Sequence, residues 1–176
     1  MGSTLLARLD ARDRALFDRW MLTRSTAGRH AWVAVTHLGG VWCSVAAAVL
    51  PLLIASASVR AAAVRALLGL ILSHGIVQVL KRNILRERPS ERLGCETMVR
   101  VPDEFSFPSG HATAAMAVCF AYAMAFPLLA APLLALAAAV GFSRVRLGVH
   151  YPGDVLAGQA IAVATDVAVI LLMRPA

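Results

Sequence analysis

Residues 108–154 read PSGHATAAMAVCFAYAMAFPLLAAPLLALAAAVGFSRVRLGVHYPGD. A turn of small residues with a histidine opens the stretch, and no charged side chain lies between Ala112 and Ser143. One membrane crossing takes roughly 20 apolar residues, so this run has the length for an outward and a return helix. Ser143–Arg144, His150 and Asp154 follow, and another apolar run begins. A soluble helical core would need charged outer faces on such helices, and their middles nearly lack charge.

The rest of the chain agrees. Its 176 residues are 59% hydrophobic and 15% charged, with a mean hydropathy of +0.71, well outside the usual soluble range. Five spans are expected, at about 31–55, 61–80, 110–126, 128–147 and 154–173. The fold class is all-α, a multi-pass membrane bundle over residues 31–176. Residues 1–30 differ, because Leu5, Leu6, Leu9, Leu16, Phe17 and Trp20 alternate with Arg8, Asp10, Arg12, Asp13, Arg14, Asp18 and Arg19. That pattern predicts an amphipathic helix lying in the interface, or a solvated helix packed on the bundle. A cleaved signal needs a continuous apolar core, and the segment has none. Cys43, Cys95 and Cys119 show no ligand-like spacing, and the chain carries no CxxC, HExxH or acidic cluster for a divalent metal.

Span parity places the polar clusters. The second span returns to the starting side and ends at Lys81, and the third leaves from Pro108–His111. The fourth brings back Ser143–Arg144, and the fifth departs from His150–Asp154. All three clusters are therefore expected on one membrane face, beside the N-terminus.

Their chemistry suits a phosphate ester, where positioned cations and amides stabilise charge on the equatorial oxygens. Lys81 and Arg88 are two helical turns apart and share a face if the helix runs to Glu87. Arg88 offers a planar fork and Lys81 a point charge; the plain alternative is interfacial anchoring, the role expected for Arg82 and Arg86. Ser109 and Gly110 open a helix whose free amides form an anion site, although Ser109 also suits a simple N-cap. Capping does not call for His111, whose imidazole gives or takes a proton near neutral pH. A carboxylate four residues after His150 can fix its tautomer, and Asp154 can also cap the fifth helix.

Together, K-x6-R-P at Lys81–Pro89, P-S-G-H at Pro108–His111 and S-R-x5-H-x3-D at Ser143–Asp154 resemble the type-2 phosphatidic acid phosphatase family, over roughly residues 60–173. That family shares its site with acid phosphatases and vanadium haloperoxidases. The resemblance implies a metal-independent lipid phosphatase with no cofactor, acting on phosphatidic acid, phosphatidylglycerophosphate or undecaprenyl diphosphate. By the same resemblance His150 is the nucleophile that becomes phosphohistidine, Asp154 orients it, and His111 protonates the leaving alkoxide and then activates water. Lys81, Arg88, Ser109, Gly110 and Arg144 hold the phosphoryl oxygens. Expected partners are the lipid phosphate and the bilayer, with no nucleic acid. The alternatives are phosphotransfer to an acceptor other than water, a haloperoxidase, which the five spans disfavour, and a non-catalytic scaffold.

Other polar residues receive structural expectations: His74 a hydrogen bond with Gln78, Asp166 a partner across helices, Gly39–Gly40 close helix packing, Trp32 and Trp42 packing or interfacial sites. His37 lies within the first span without an assigned role. Orientation is contested. Six N-terminal arginines, six basic residues in 81–100, Arg144 and Arg146 share the motif side, against Arg60, Arg65 and Arg174 opposite. Basic loops favour the cytoplasm, whereas the bacterial family usually places its site outside the inner membrane, the side the resemblance favours here.

Overall fold

The computed structural model describes residues 2–21, 28–95, 97–99, 101 and 103–173, with backbone alone for residues 2–7 and 9. The side chains of Leu5, Leu6 and Leu9, together with Arg24, Arg100 and Arg174, fall outside that description.

The elements are α1 (Gly2–Trp20), α2 (Arg29–Leu38), α3 (Val41–Ile54), α4 (Ala57–Ile84), α5 (Pro89–Leu93), α6 (Gly110–Ala125), a 3-10 turn (Pro127–Leu129), α7 (Ala130–Arg146) and α8 (Pro152–Leu172). Among the described residues there is no strand, only one isolated bridge between Glu87 and Phe105. Helix α6 lies at the centre and packs against α4, α7 and α8. Its buried face is small (Ala112, Ala115, Ala117 and Ala121), which lets neighbouring backbones approach closely.

Large apolar side chains face outward while several charged ones are buried among the small core residues. Ile71, Val79, Leu156 and Leu171 are exposed, while Lys81, Arg88, Arg144, His150, Asp154 and Asp166 are buried. In water that distribution would be costly; against hydrocarbon it is what apolar helix faces require. Ala57–Ile84, Pro127–Arg146 and Pro152–Leu172 are each long and apolar enough to cross a membrane.

Two expected spans take a different form. The first is not one helix, because α2 and α3 meet at a 45° break. Gly39 and Gly40 make it: a Cβ on Gly39 would lie 2.8 Å from the His111 carbonyl oxygen and 2.5 Å from Val140 Cγ1. The absent side chain lets this corner press onto the start of α6. If the bent pair counts as one crossing, the total is four. Helix α6 has only 16 residues, about 24 Å at 1.5 Å per residue.

Helix α4 also stops earlier than the shared-face expectation requires. It ends at Ile84, and Leu85 takes a left-handed conformation at φ 49°. The chain reverses there, so Arg86–Arg88 runs back over the bundle end rather than along the helix. Lys81 and Arg88 still meet, from different backbone directions.

Candidate active site

Lys81, in the last turn of α4, donates to both Asp103 carboxylate oxygens at 2.9 and 3.0 Å and to the Phe105 carbonyl at 2.8 Å. Arg88 donates from Nε to the Asp103 carbonyl at 2.9 Å, from Nη1 to the Val149 carbonyl at 2.8 Å, and from Nη2 to the Asp103 carboxylate. Asp103 thus bridges both cations while its side chain stays 40% exposed. Partial burial alone would raise its pKa, but Lys81 and Arg88 outweigh that and hold it below the usual carboxylate value. Asp103 escaped the sequence reading because it belongs to none of the three motifs.

Ser109 stands at the N-cap of α6 without capping it. Its Oγ is buried and has no hydrogen-bond partner among the described residues. Its backbone N–H donates to the Asp154 carbonyl at 3.0 Å, which ties α6 to the start of α8. Arg144, near the end of α7, is also buried; Nη1 donates to Thr36 Oγ1 at 2.6 Å, and Nε has no partner among the described residues. Unpartnered buried donors are costly.

His150 follows a turn folded back on α7, where the Arg144 carbonyl accepts from Val149 and His150 N–H at 3.1 and 3.3 Å. Its Nε2 lies 3.3 Å from Arg88 Nη1 and its Nδ1 lies 3.5 Å from Asp154 Oδ2. A guanidinium can only donate, so Nε2 is the bare nitrogen and the proton sits on Nδ1, facing the carboxylate. Burial first, then Arg88, Arg144, Lys81 and His111, push the His150 pKa well below its usual 6.5. The imidazole is neutral and carries its lone pair on Nε2, where Arg88 donates weakly to it, the protonation state a nitrogen nucleophile needs.

Asp154 is wholly buried in the first turn of α8. Its Oδ2 accepts from the Tyr151 N–H at 2.9 Å, the capping role expected of it, and its Oδ1 accepts from Arg86 Nη1 at 2.6 Å. The second contact corrects the sequence reading of Arg86. An interfacial anchor would extend toward water, but this side chain is 18% exposed and is drawn inward by Asp154 and Asp13. Asp10, Asp13 and Asp154, all at least 68 residues away in sequence, outweigh its nearness to a span end.

Lys81, Arg88, Gly110, His111, Arg144 and His150 line one cavity of about 580 Å³ together with Asp103. Ser109 and Asp154 sit outside its lining. The same cavity continues past His74 and Gln78 to Val41, Val45, Leu67, Leu70 and Ile71 on α3 and α4. His74 Nε2 and Gln78 Nε2 are 3.2 Å apart, the expected pair. Asp166 departs from expectation: neither carboxylate oxygen has a partner among the described residues, and Oδ1 rests against Gly69 of α4. His37 is exposed, Trp42 likewise, and Trp32 packs edge-on against Phe142 at 5.5 Å.

Comparison with known proteins places these features in context. The family model described as PAP2 superfamily matches residues 62–176. Decaprenylphosphoryl-5-phosphoribose phosphatase of Mycobacterium tuberculosis is 36% identical over 97 residues, covering 53% of this chain and 51% of that protein. Lipid A 1-phosphatase of Rhizobium etli is 47% identical over 55 residues, 31% of this chain and 24% of that protein. The chain spans about half the length of the mycobacterial relative. The crystal structure of a transmembrane PAP2-type phosphatidylglycerolphosphate phosphatase from Bacillus subtilis shares the fold, with a TM-score of 0.73 and 24% identity over 94% of this chain and 86% of that one.

Proposed function

The chain belongs to the PAP2 superfamily, and we propose that it is an integral membrane phosphatase for a lipid-linked phosphate or diphosphate. One observation carries the reading: a single cavity holds three buried cations and two imidazoles at one end and aliphatic walls at the other. A phosphate headgroup with a hydrocarbon chain has that same polarity. The names of the relatives, which are phosphatases of lipid-linked substrates, support it.

In this reading Nε2 of His150 attacks the terminal phosphorus, a P–N bond forms, and the P–O bond to the leaving oxygen breaks, that oxygen belonging to an alkoxide in a lipid phosphate and to a lipid phosphate in a diphosphate. His111 gives its proton to the departing oxygen. It then takes a proton from water as that water displaces the phosphoryl group, releasing phosphate and restoring His150. Lys81, Arg88, Arg144, the free Ser109 hydroxyl and the first amides of α6, Gly110 among them, hold the equatorial oxygens. Asp154 stabilises the charge that develops on His150. None of these steps calls for a metal.

Five crossings complete the arrangement, counting α2–α3 as one bent span and α6 as a short central one. Helix α1 lies in the interface on the site's face, and the site opens outside the inner membrane. The test is phosphate release by the purified full chain across a panel of lipid phosphates and diphosphates, with EDTA present. Turnover that survives EDTA and disappears in His150→Ala supports the reading. A fully active His150→Ala, or activity that EDTA removes and a divalent ion restores, rejects it.

A further inference from the structure

One side chain ties the N-terminal helix, which lies outside the family match, to the presumed nucleophile's partner. Arg86 Nη1 donates to Asp154 Oδ1 at 2.6 Å, and Nη2 donates to Asp13 Oδ2 at 2.7 Å. The two ends of one planar fork therefore hold carboxylates from α8 and α1. We propose that Arg86 is a positioning residue for the phosphatase reaction and that Asp13 of α1 sets its place, in the order Asp13–Arg86–Asp154–His150. The proposal rests on the function inferred above.

Asp154 needs such a device. Its two oxygens are interchangeable by a rotation of the carboxylate; Oδ2 lies 3.5 Å from His150 Nδ1, close enough to pair with it electrostatically though not hydrogen-bonded among the described residues. Arg86 on Oδ1 and the Tyr151 N–H on Oδ2 make the oxygens inequivalent and stop that rotation. Without Arg86 the buried carboxylate would lose the one cationic hydrogen-bond partner it has among the described residues and turn toward another.

Arg86 in turn has no helix to hold it, because α4 ends two residues earlier. Its guanidinium lies 4.2 Å from the Tyr151 ring centroid and is fixed from the far side by Asp13, with Asp10 at 3.3 Å. Asp13 also accepts from the Gly153 N–H at 2.7 Å, within the first turn of α8 and next to Asp154. A Cβ on Gly153 would lie 2.8 Å from Asp13 Oδ2, so glycine is what admits the carboxylate there. Phe17, buried and edge-on to Tyr151 at 5.4 Å, seats α1 against the same turn.

The test uses the full chain in detergent with Arg86→Ala, Arg86→Lys and Asp13→Asn. Arg86→Ala is expected to lower kcat by about 10- to 100-fold, by analogy with the loss of an outer partner that orients a metal-bound histidine, with KM nearly unchanged. Arg86→Lys recovers part of that loss, since it keeps charge and loses the fork. Asp13→Asn lowers kcat by a smaller factor, about threefold or more.

A second readout needs no turnover: the titration of the His150 imidazole by NMR. Removing the cation beside Asp154 leaves that carboxylate free to favour imidazolium, so the His150 midpoint rises in Arg86→Ala. The groups facing His150 (Arg88, Arg144, Lys81 and His111) are the same in every variant. If Arg86→Ala does not fold, Arg86→Lys and Asp13→Asn decide. Wild-type kcat and an unmoved His150 titration in folded variants overturn the proposal, as does a rise in KM without loss of kcat. A wild-type protein that releases no phosphate from any lipid would instead reject the proposed function, with the NMR shift still reporting on the relay.

Discussion

Lys81 has three N–H bonds, and the 103–105 loop accepts all of them, two through the Asp103 carboxylate and one through the Phe105 carbonyl. A phosphate bound by Lys81 and Arg88 must therefore displace a carboxylate already there. A unit-charge pair at 4 Å is worth about 4 kcal/mol at an effective dielectric near 20, and tenfold in affinity needs only about 1.4 kcal/mol. Asp103→Asn is expected to tighten inhibition by vanadate, a phosphate mimic, by about tenfold or more, read from inhibition constants. Unchanged inhibition would mean that the carboxylate stays in place when the anion binds. His150 gives a pH prediction with a definite sign. Its pKa in the fold lies below the ordinary 6.5, so the unfolded chain takes up a proton that the native state does not between those values. Stability from this group is complete above 6.5 and falls as pH drops through that window. As the proposed nucleophile, His150 stays neutral below pH 6.5, so the acid limb of kcat/KM assigned to it should lie under that value. A limb at or above it would contradict the buried, cation-ringed site.

Among the elements, the α2–α3 corner sets the depth of the site, since Gly39 lies against the first turn of α6 that carries His111. Gly39→Ala would force a methyl group into that contact. Overpacking of this kind costs roughly 1–3 kcal/mol, so thermal melts in detergent should show a lower Tm and kcat should fall as His111 shifts. An unchanged Tm and kcat would mean that the corner yields freely. The same corner shows how far the sequence could be read. Gly39–Gly40 was legible as close packing, but the break it makes in the first span was not, because apolar composition runs on through it. The three motifs were legible because each is a short local pattern at the end of an apolar run. Arg86 and Asp103 were not, since their importance comes from partners 68 and 22 residues away, and no local pattern records such pairing. The left-handed turn at Leu85 was equally hidden, as leucine carries no signal for positive φ.

For the bundle as a unit, the prediction concerns the side of the membrane to which the cavity opens. The basic residues on the motif side argue for the cytoplasm only if they are there to hold a loop inside. Four of them have other work: Lys81, Arg88 and Arg144 are buried in the cavity wall, and Arg86 is paired with Asp154 and Asp13. In the proposed function their presence follows from the chemistry of the site and carries no information on sidedness, so the outward placement proposed here stands to be tested. Cys95 can decide it. It lies in the loop between α5 and α6, half-buried but outside the spans, whereas Cys119 is buried in α6 and Cys43 lies within α3. Burial raises the Cys95 thiol pKa, so the reaction is run at mildly alkaline pH, where more thiolate is present. A membrane-impermeant maleimide should label Cys95 in intact cells and fail to label Cys95→Ser. Labelling that appears only after the membrane is opened would put the cavity on the cytoplasmic face, and with it the pool of lipid phosphate that the site can reach.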